Sequence, residues 1–429
     1  KNYAKELDIT TLVVVDDDGS YLGCVNTSIT DLSKDPSRVI SEFADEKYET
    51  LQATDIKPTK RGITPVLDQG KLNGLIIVTT EAQIRRFADS VSTVVIVGLG
   101  FVGATLAIAL AESGLNVIGV EKNGSIRDKI ANGQLHFFEP DGDQRLRSVL
   151  ADNRLIITSN EQDVKADAFI ITVGTPLRSK EDKTPNTEFL NEAIHYVKRN
   201  AQGGEVVILR STVPVGTCDR IIKDHRDFFQ TSDIEKNLYM VMAPERTIEG
   251  KALEELYTNP QMIGTESSIG MAKAKCIFSS LGVNILPLYS SRDAELAKLV
   301  DNTFRDFWFS YSNMLASVAD VLKTDTLRVI ESVNAGYART NVAKPSPGVG
   351  GPCLSKDPYL FLDGLSGEQS VVKNLILASR EMNSFVLKQF IDSFIKTVND
   401  ENGIIHVLGM AFKGDPETDD LRDSTSVEA

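Results

Sequence analysis

One loop of this sequence joins a cysteine to charged neighbours. Cys353 follows the glycine-rich run at residues 348–351 and precedes Lys356 and Asp357. Glycine allows positive φ values and the close approach of a ligand. A thiol near cationic groups is a candidate covalent nucleophile, although most cysteines are small buried hydrophobic residues. The loop therefore predicts covalent chemistry at Cys353 only if other elements build a binding site beside it.

A long helix is predicted before this loop, over residues 293–322. Lys298 and Asn302 are separated by one helical turn, so they share a face. One interpretation is a charged face in contact with solvent. The other follows from apolar residues of the same segment, such as Leu299 and Phe304, which indicate extensive packing. In that case Lys298 and Asn302 form a buried, pre-organised pair of donors for an oxyanion.

Further upstream, the chain has the pattern of a dinucleotide-binding unit. A strand at 93–97 precedes a G-x-G-x-x-G motif, a helix at 104–113 follows, and a second strand at 116–120 ends at Glu121. In such units the glycines allow a tight turn, and the pyrophosphate lies at the helix amino terminus. A carboxylate at Glu121 would bind the adenosine ribose and repel a 2′-phosphate, which predicts NAD rather than NADP. The predicted contacts of the motif are Gly98, Gly100, Phe101, Val102 and Gly103.

Three later strands, at 168–173, 205–209 and 238–242, are each followed by polar residues. In chain order these are Thr175, Thr212, Glu245 and Arg246. Ligands bind outside the carboxyl ends of the strands in an open α/β sheet. An ordinary turn explains any single one of these residues, but their repetition after the cofactor unit predicts that they line one crevice.

The amino-terminal region, residues 1–90, contains two strand–turn–strand patterns, at 11–25 and 63–78. Helix-like segments follow them near 29–32 and 81–87. The pair resembles CBS modules, small domains that often bind adenine nucleotides and regulate an attached enzyme. Asp31 lies where such modules often place a ribose-binding carboxylate. The alternative is a pairing or dimerisation module with an empty cleft.

Composition excludes several classes of function. The chain has 429 residues and a net charge of −14, so it has no basic excess with which to neutralise nucleic-acid phosphates. Its four cysteines have no paired spacing and its four histidines do not cluster, which argues against a disulfide framework and a metal site. No apolar run is long enough to span a membrane, and the first residues do not resemble a signal peptide, so we expect a cytoplasmic protein. We expect Cys24, Cys218 and Cys276 to be structural thiols.

Seven motifs within residues 93–429 resemble those of the UDP-sugar 6-dehydrogenases, in the UDP-glucose/GDP-mannose dehydrogenase superfamily. In order, they are GLGFVG, VGTP, STVPVGT, APER, ELAKLVDNTFRD, GVGGPCLSKDP and GMAFKGDPETDDLRDS. The segment APERTIEGKALEEL, with arginine after Glu245, is more similar to the UDP-N-acetylmannosamine and UDP-N-acetylglucosamine branch than to the UDP-glucose branch. Oxidation of UDP-glucose stays open as an alternative.

The resemblance implies an NAD-dependent, four-electron oxidation of a sugar C6 hydroxymethyl group to a carboxylate, for polysaccharide precursor synthesis. Cys353 would trap the intermediate aldehyde as a thiohemiacetal and then carry the thioester that water hydrolyses. Lys298 and Asn302 would stabilise oxyanions, and Asp357 would activate water or relay protons.

The same motifs imply further contacts with both ligands. Thr212 and Glu245 would position substrate and water beside the nicotinamide. The other cofactor contacts would come from Thr175, Lys356 and Arg422. The other substrate contacts would come from Arg246, Arg339, Asn341, Gly350 and Lys413. Family members dimerise through the long central helix, so a homodimer or larger homo-oligomer is expected, and Arg339 could reach into a neighbouring subunit.

Together, the patterns and the resemblance predict an α/β protein with four regions. These are a CBS-like α+β module at 1–90, a Rossmann-type NAD-binding domain at 91–290, an all-helical substrate and dimerisation domain at 291–402, and the beginning of a Rossmann-like UDP-binding domain at 403–429. The first strand of the last domain is expected at 404–409.

Two other classes of protein stay open. A β-hydroxy acid dehydrogenase shares the dinucleotide fold and a helix lysine, but it has no need for Cys353 and forms one NADH per substrate. A non-catalytic sensor would bind an adenine nucleotide in the amino-terminal region. The joint presence of Cys353, Lys298, Asn302 and Asp357 argues against the sensor.

A protein that ends at Ala429 would lack most of the last domain, which completes the UDP pocket in the family. We expect such a protein to bind NAD but to turn over poorly. An NAD titration and steady-state kinetics on a chain verified to end at Ala429 test this expectation. Substantial turnover would contradict it.

Overall fold

The structure, a computed structural model, describes residues 9–15, 21–26, 63–68, 71–80, 91–231, 236–365, 370–398 and 406–428. The chain divides into two compact units. One contains residues 1–91 and 265–276, and the other contains residues 92–264 and 277–429. The domain bounds drawn from the sequence at 290 and 402 stay predictions.

The amino-terminal part of the first unit is an antiparallel sheet. Its strands are β1 (Ile9–Val15), β2 (Tyr21–Asn26), β3 (Ile63–Asp68) and β4 (Lys71–Thr80). Their order in the sheet is β2-β1-β4-β3, and Val13 of β1 pairs with Cys24 on one side and Ile77 on the other. Both predicted strand pairs are present. The helix-like segments near 29–32 and 81–87, and Asp31, lie outside the described residues, so the CBS-like interpretation stays a prediction.

The second unit is built on an eight-stranded sheet. Its strands are β5 (Thr93–Val97), β6 (Asn116–Val120), β7 (Leu155–Thr158), β8 (Ala168–Ile171), β9 (Val206–Leu209), β10 (Tyr239–Met242), β11 (Gln261–Gly264) and β12 (Ile285–Leu288). Their order is β12-β11-β10-β9-β8-β5-β6-β7. Neighbouring strands are parallel except for β10 and β11, which are antiparallel. The six strands from β7 to β10 have the doubly wound order of dinucleotide-binding sheets, and the winding reverses between β5 and β8.

Helices connect these strands and continue beyond the sheet. Those up to the last strand are α1 (Phe101–Glu112), α2 (Gly124–Ala131), α3 (Gly142–Ala151), α4 (Glu188–Asn200), α5 (Thr217–Asp224), α6 (Arg226–Phe229), α7 (Ala252–Glu255) and α8 (Ser268–Ser279). Those after it are α9 (Ser291–Leu322), α10 (Thr326–Asn334), α11 (Asp357–Asp363), α12 (Ser370–Thr397) and α13 (Thr425–Glu428).

The core of the second unit lies in the central strands. Every residue of β8, β9 and β10 is buried, which explains why the sequence shows continuous apolar runs there rather than alternation. Helix α1 is buried from Gly103 to Ala111 and packs against β6 and α3. The carboxyl ends of β5 and β8 are thereby held rigidly at the point where the winding reverses.

The long helix α9 begins two residues before the predicted start. A capping box begins it, because Ser290 Oγ accepts a hydrogen bond from the Asp293 amide at 3.1 Å and Asp293 accepts one from the Ser290 amide at 3.0 Å. Helices α11 and α12 pack against α9. Asp306, buried in α9, is bonded to Arg380 of α12 at 2.5 Å and to Ser379 at 3.1 Å. These polar contacts fix the helices that surround the cysteine loop.

Glu295 joins α9 to the sheet. Its carboxylate accepts hydrogen bonds from the backbone amides of Gly216 at 2.6 Å and Cys218 at 2.8 Å, at the start of α5. A negative charge is favourable at a helix amino terminus. Burial raises the pKa of Glu295, and the two amide donors offset that rise only in part. The helix that carries Lys298 is thus anchored to the loop that follows β9.

The expected strand at 404–409 is not formed by residues 406–409, the part of it that the structure describes. A strand needs a hydrogen-bonded neighbour, and no described strand pairs with these residues. In the described part of the chain, no helix combines the length and the apolar character that crossing a bilayer requires.

Candidate functional site

The glycine-rich turn after β5 leaves space for a ligand. Gly98 has a φ of 95°, and its amide donates to Val120 O at 2.8 Å. Gly100 is the N-cap of α1 and provides no side-chain cap, so the first amides of α1 are available to an anion. A methyl group on Gly100 would meet none of the described atoms within 4 Å. On Gly103 it would lie 1.9 Å from Gly98 O, so Gly103 is required for packing.

Glu121 is buried and holds this turn in place. Its Oε2 accepts a hydrogen bond from the Leu99 amide at 2.9 Å, and its Oε1 accepts one from the Asn123 amide at 2.8 Å. Each oxygen has a second lone pair for a ribose hydroxyl. These residues therefore fit a dinucleotide with an unphosphorylated ribose, as the sequence predicted.

An aromatic group lies next to the turn, and the sequence reasoning missed it. Phe101, at the start of α1, packs edge-on against Phe137 with 5.1 Å between ring centroids. His136 packs on Phe137 in turn, and burial lowers the pKa of His136. Its Nδ1 is buried and has no hydrogen-bond partner among the described groups. No local signal marks this segment, because it reaches Phe101 only through the fold.

The cysteine loop and α9 meet through a polar network. Asn302, fully buried in α9, donates a hydrogen bond from Nδ2 to Asp357. Lys356 Nζ donates to the other oxygen of Asp357 at 2.6 Å, and Arg305 donates to Asn302 Oδ1. The amides of Lys356 and Asp357 donate to Cys353 O at 3.1 and 2.9 Å. The buried Lys–Asn interpretation of α9 is thus the one that the structure supports, since Lys298 is also buried.

Cys353 is exposed as a residue. Desolvation of its thiol by neighbouring protein groups nevertheless raises the pKa of Cys353, and the Asp357 carboxylate adds to that rise. The positive charges of Lys298, Lys356 and Arg305 act in the opposite direction. The thiol is therefore protonated at neutral pH. The three cations lie where they can stabilise a negative charge that forms beside it.

Glu245 is buried and fully engaged. Its Oε2 accepts hydrogen bonds from Arg210 Nε at 2.9 Å and Arg210 Nη2 at 2.5 Å. Its Oε1 accepts bonds from the amides of Arg246 at 2.6 Å and Thr247 at 2.7 Å. Burial acts to raise the pKa of Glu245, but Arg210, Lys298 and the amides outweigh it and hold that pKa below its usual range. Arg210, the residue directly after β9, was not singled out from the sequence, although a charge just after an apolar strand is a usable signal.

Residues 411–424 pack over the loop that follows β10 and over the cysteine loop. Lys413 Nζ donates to Glu249 O at 2.6 Å, and Arg422 Nη2 donates to Glu249 Oε1 at 3.0 Å. Asp423 O accepts the Gly351 amide at 2.8 Å. Burial and the nearby Asp420 carboxylate raise the pKa of Glu249 to about 7, although Arg422 lies beside it. Lys413 and Arg422 thus lie near the cysteine loop.

Three other residues that were predicted to contact the substrate have their bonding partners away from Cys353. Arg246 pairs with Asp301 of α9 at 2.8 Å. Arg339 is exposed, with its guanidinium 4.9 Å from the Tyr337 ring, and Asn341 is bonded through its carbonyl to Trp308 at 2.6 Å. In the described part of the chain, neither Arg339 nor Asn341 is bonded to the groups around Cys353.

Two of the turns that were predicted to line one crevice are in contact. Thr175 Oγ1 donates to Thr212 O at 2.5 Å, which links the turns that follow β8 and β9. Nearby, a cleft of about 610 Å³ is lined by Pro176 after β8, by Gly350 and Ser355 of the cysteine loop, and by residues of α12. Gly350 therefore lines an open cleft, and its contact with a substrate stays a prediction.

Comparison with known proteins gives a consistent result. Residues 92–282 match the NAD binding domain of the UDP-glucose/GDP-mannose dehydrogenase family, and residues 292–384 match its central domain. The chain is 32% identical to the UDP-N-acetyl-D-mannosamine dehydrogenase of Pyrococcus horikoshii over 337 residues, which cover 78% of this chain and 79% of that protein. It is 29% identical to the NDP-N-acetyl-D-galactosaminuronic acid dehydrogenase of Ralstonia nicotianae over 343 residues, which cover 78% of each chain.

A solved structure agrees with these matches. The native UDP-N-acetyl-mannosamine dehydrogenase of Staphylococcus aureus superposes with a TM-score of 0.68 at 29% identity, covering 79% of this chain and 78% of that one.

Two glycine substitutions separate binding from folding at the cofactor turn. Gly100→Ala should leave the thermal unfolding midpoint unchanged, because its methyl group meets open space. The same methyl group would occupy the place of the pyrophosphate, so we expect the dissociation constant for NAD to rise about tenfold or more. Gly103→Ala is the matched control and should destabilise the fold by about 1–3 kcal/mol through overpacking. Calorimetric titration with NAD and thermal unfolding measure both effects, and unchanged NAD affinity in Gly100→Ala would contradict the assigned site.

Proposed function

Because this chain belongs to the UDP-glucose/GDP-mannose dehydrogenase family and is an NAD-dependent UDP-sugar dehydrogenase, we propose that it oxidises C6 of a UDP-N-acetylhexosamine to the carboxylate. The observation that carries the proposal is the network of Asn302, Lys356 and Asp357 beside Cys353, with Lys298 buried nearby. A dehydrogenase that stops at a ketone or an aldehyde has no use for a thiol held in this way.

The proposed reaction takes the hydroxymethyl group through two oxidations. NAD, bound on the turn after β5, supplies the hydride acceptor. Once the aldehyde has formed, the Cys353 sulfur adds to its carbon and the thiol proton ends on the oxygen, giving a thiohemiacetal. Loss of a hydride and a proton converts this adduct into a thioester. Water then breaks the carbon–sulfur bond, which restores the thiol. In sum, one hydroxymethyl group, two NAD+ and one water give a carboxylate, two NADH and three protons.

Charged groups around Cys353 fit these steps. The oxygen of the adduct gains negative charge as the sulfur attacks, and Lys298 with Asn302 would stabilise it. The thiol is protonated at neutral pH because its pKa is raised, so attack requires a proton acceptor. Asp357, bonded to Asn302 and Lys356, is proposed for that task and for activating the hydrolytic water.

The choice of sugar rests on the segment after β10. Arg246 follows Glu245 in a motif that resembles the N-acetylhexosamine branch, and it lies against Asp301 of α9 rather than in solvent alone. The relatives named above act on N-acetylated sugars, according to their names. We therefore propose UDP-N-acetylmannosamine or UDP-N-acetylglucosamine as the substrate, with UDP-glucose as the alternative.

Counting NADH separates these functions. Purified protein is incubated with each of the three UDP-sugars in turn, and NADH and uronate are quantified. We expect two NADH per sugar with an N-acetylated substrate, because a Cys353 thioester commits the aldehyde to the second oxidation. One NADH per substrate would indicate an ordinary hydroxy acid dehydrogenase instead. Cys353→Ser should abolish net uronate formation, and its persistence in that variant would reject the thioester route.

A homodimer through α9 is also proposed. Exposed apolar side chains recur along α9 from its second turn to its end. They are Leu296, Val300, Phe304, Tyr311, Met314, Val318, Val321 and Leu322. Their spacing places them on one side of the helix. A continuous apolar strip of this kind marks an interaction surface, and a second copy of the same helix is the occupant that the dimeric family implies.

Substitution within that strip tests the dimer. Phe304 is 66% exposed, so Phe304→Asp should fold normally but place a charge in the interface. We expect the mass measured by light scattering to fall from a dimer or larger species to that of one chain. Tyr289→Asp, at an aromatic residue that is 88% exposed outside α9, is the control. An unchanged mass for Phe304→Asp would place the interface elsewhere.

A further inference from the structure

Three residues in or just after three adjacent strands form a buried polar network behind the site. Arg210 directly follows β9, Glu245 lies after β10 and Gln261 begins β11. Arg210 is among the largest fully buried side chains of the described residues. Besides its two bonds to Glu245, it donates from Nη1 to Gln261 Oε1 at 2.9 Å and to Ala243 O at 3.1 Å. Its guanidinium also lies 5.1 Å from the Phe278 ring.

This network fills the acceptor positions of Glu245. Each carboxylate oxygen receives two hydrogen bonds, from Arg210 on one side and from two backbone amides on the other. A carboxylate has about four lone-pair positions. Glu245 therefore has no position left from which to take a proton from water without giving up a donor, and its low pKa opposes protonation further.

Because Glu245 is already paired, the ammonium of Lys298 does not pair with it. Its charge acts on both Glu245 and Cys353, yet in the described part of the chain its ammonium forms no ion pair or hydrogen bond with a side chain. A buried ammonium close to an unpaired carboxylate would normally form an ion pair with it. Arg210 neutralises that carboxylate, and both of its oxygens already accept two hydrogen bonds.

We propose that Arg210 is a positioning residue that holds Glu245 as a permanently paired anion and thereby leaves the Lys298 ammonium free to act at Cys353. Glu245 then serves as a fixed charge rather than as the base that activates water. The role of Lys298 in the reaction rests on the proposed function, but its effect on the thiol does not, so the two can be tested apart.

The test measures the reactivity of Cys353 without any sugar. Iodoacetamide alkylation of Cys353 is followed by peptide mass spectrometry across pH 6–10, which distinguishes it from the other thiols. In Arg210→Met, Glu245 captures Lys298, so the thiol loses a stabilising cation while Asp357 still opposes its ionisation. We expect alkylation at pH 8 to slow about tenfold, with its pH midpoint moved upward.

Two double variants separate this effect from a packing defect. Arg210→Met with Glu245→Gln removes both charges, which leaves Lys298 free again, and should restore alkylation to within about twofold of the wild-type rate. Where Lys298→Met is already present, Arg210→Met should change the rate by less than about twofold. Arg210→Lys replaces Arg210→Met if the latter fails to fold, and should give a smaller slowing because lysine cannot donate as a fork.

The outcomes are distinct. Unchanged alkylation in both Arg210 variants overturns the proposal. So does a charge-free double variant as slow as Arg210→Met, since that result indicates a packing role. Equal slowing with and without Lys298 would mean that the effect does not pass through Lys298. If the alkylation results hold but no UDP-sugar yields two NADH, the proposed function fails while this role of Arg210 stands.

Discussion

A buried hydrogen bond from Asn302 to Asp357 connects the long helix to the cysteine loop, and the geometry of the site depends on it. Asn302 has no exposed surface and Asp357 almost none. A carboxylate buried in this way is stable only with donors on its oxygens, and Lys356 provides the second. The loop that carries Cys353 is thereby held against the face of α9 that carries Lys298.

The surrounding carboxylates have different tasks because their partners differ. Glu295 caps α5 and anchors α9 to the sheet. Glu245 is paired with Arg210 and stays ionised. Glu249 shares Arg422 with Asp420, and burial leaves it with a pKa of about 7. The site thus combines fixed charges, which orient the reacting groups, with one carboxyl group that titrates near neutral pH where residues 411–424 pack over the loops.

Short sequence patterns were enough to predict much of the fold. The runs that became β5 and β6 have the bounds predicted for them, since a buried parallel strand needs an unbroken apolar run and leaves that mark on the chain. The capping box at Ser290 and the apolar face of α9 are equally local. The long helix therefore begins only two residues before its predicted start and ends at the predicted residue. The expected strand at 404–409 failed where residues 406–409 are described, because a strand depends on a distant neighbour that a local pattern does not reveal.

By itself, the sequence determined which residue types were available and where each lies in its own element: the glycine turn, the carboxylate at Glu121, the Lys298–Asn302 pair and the cysteine loop. Only the tertiary structure decided which of them meet. It paired Asn302 with Asp357, engaged Glu245 with the unforeseen Arg210, and left Arg339 on the surface. The physical reason is range: periodicity, caps and turns act over a few residues, whereas burial and hydrogen bonding choose partners from anywhere along the chain.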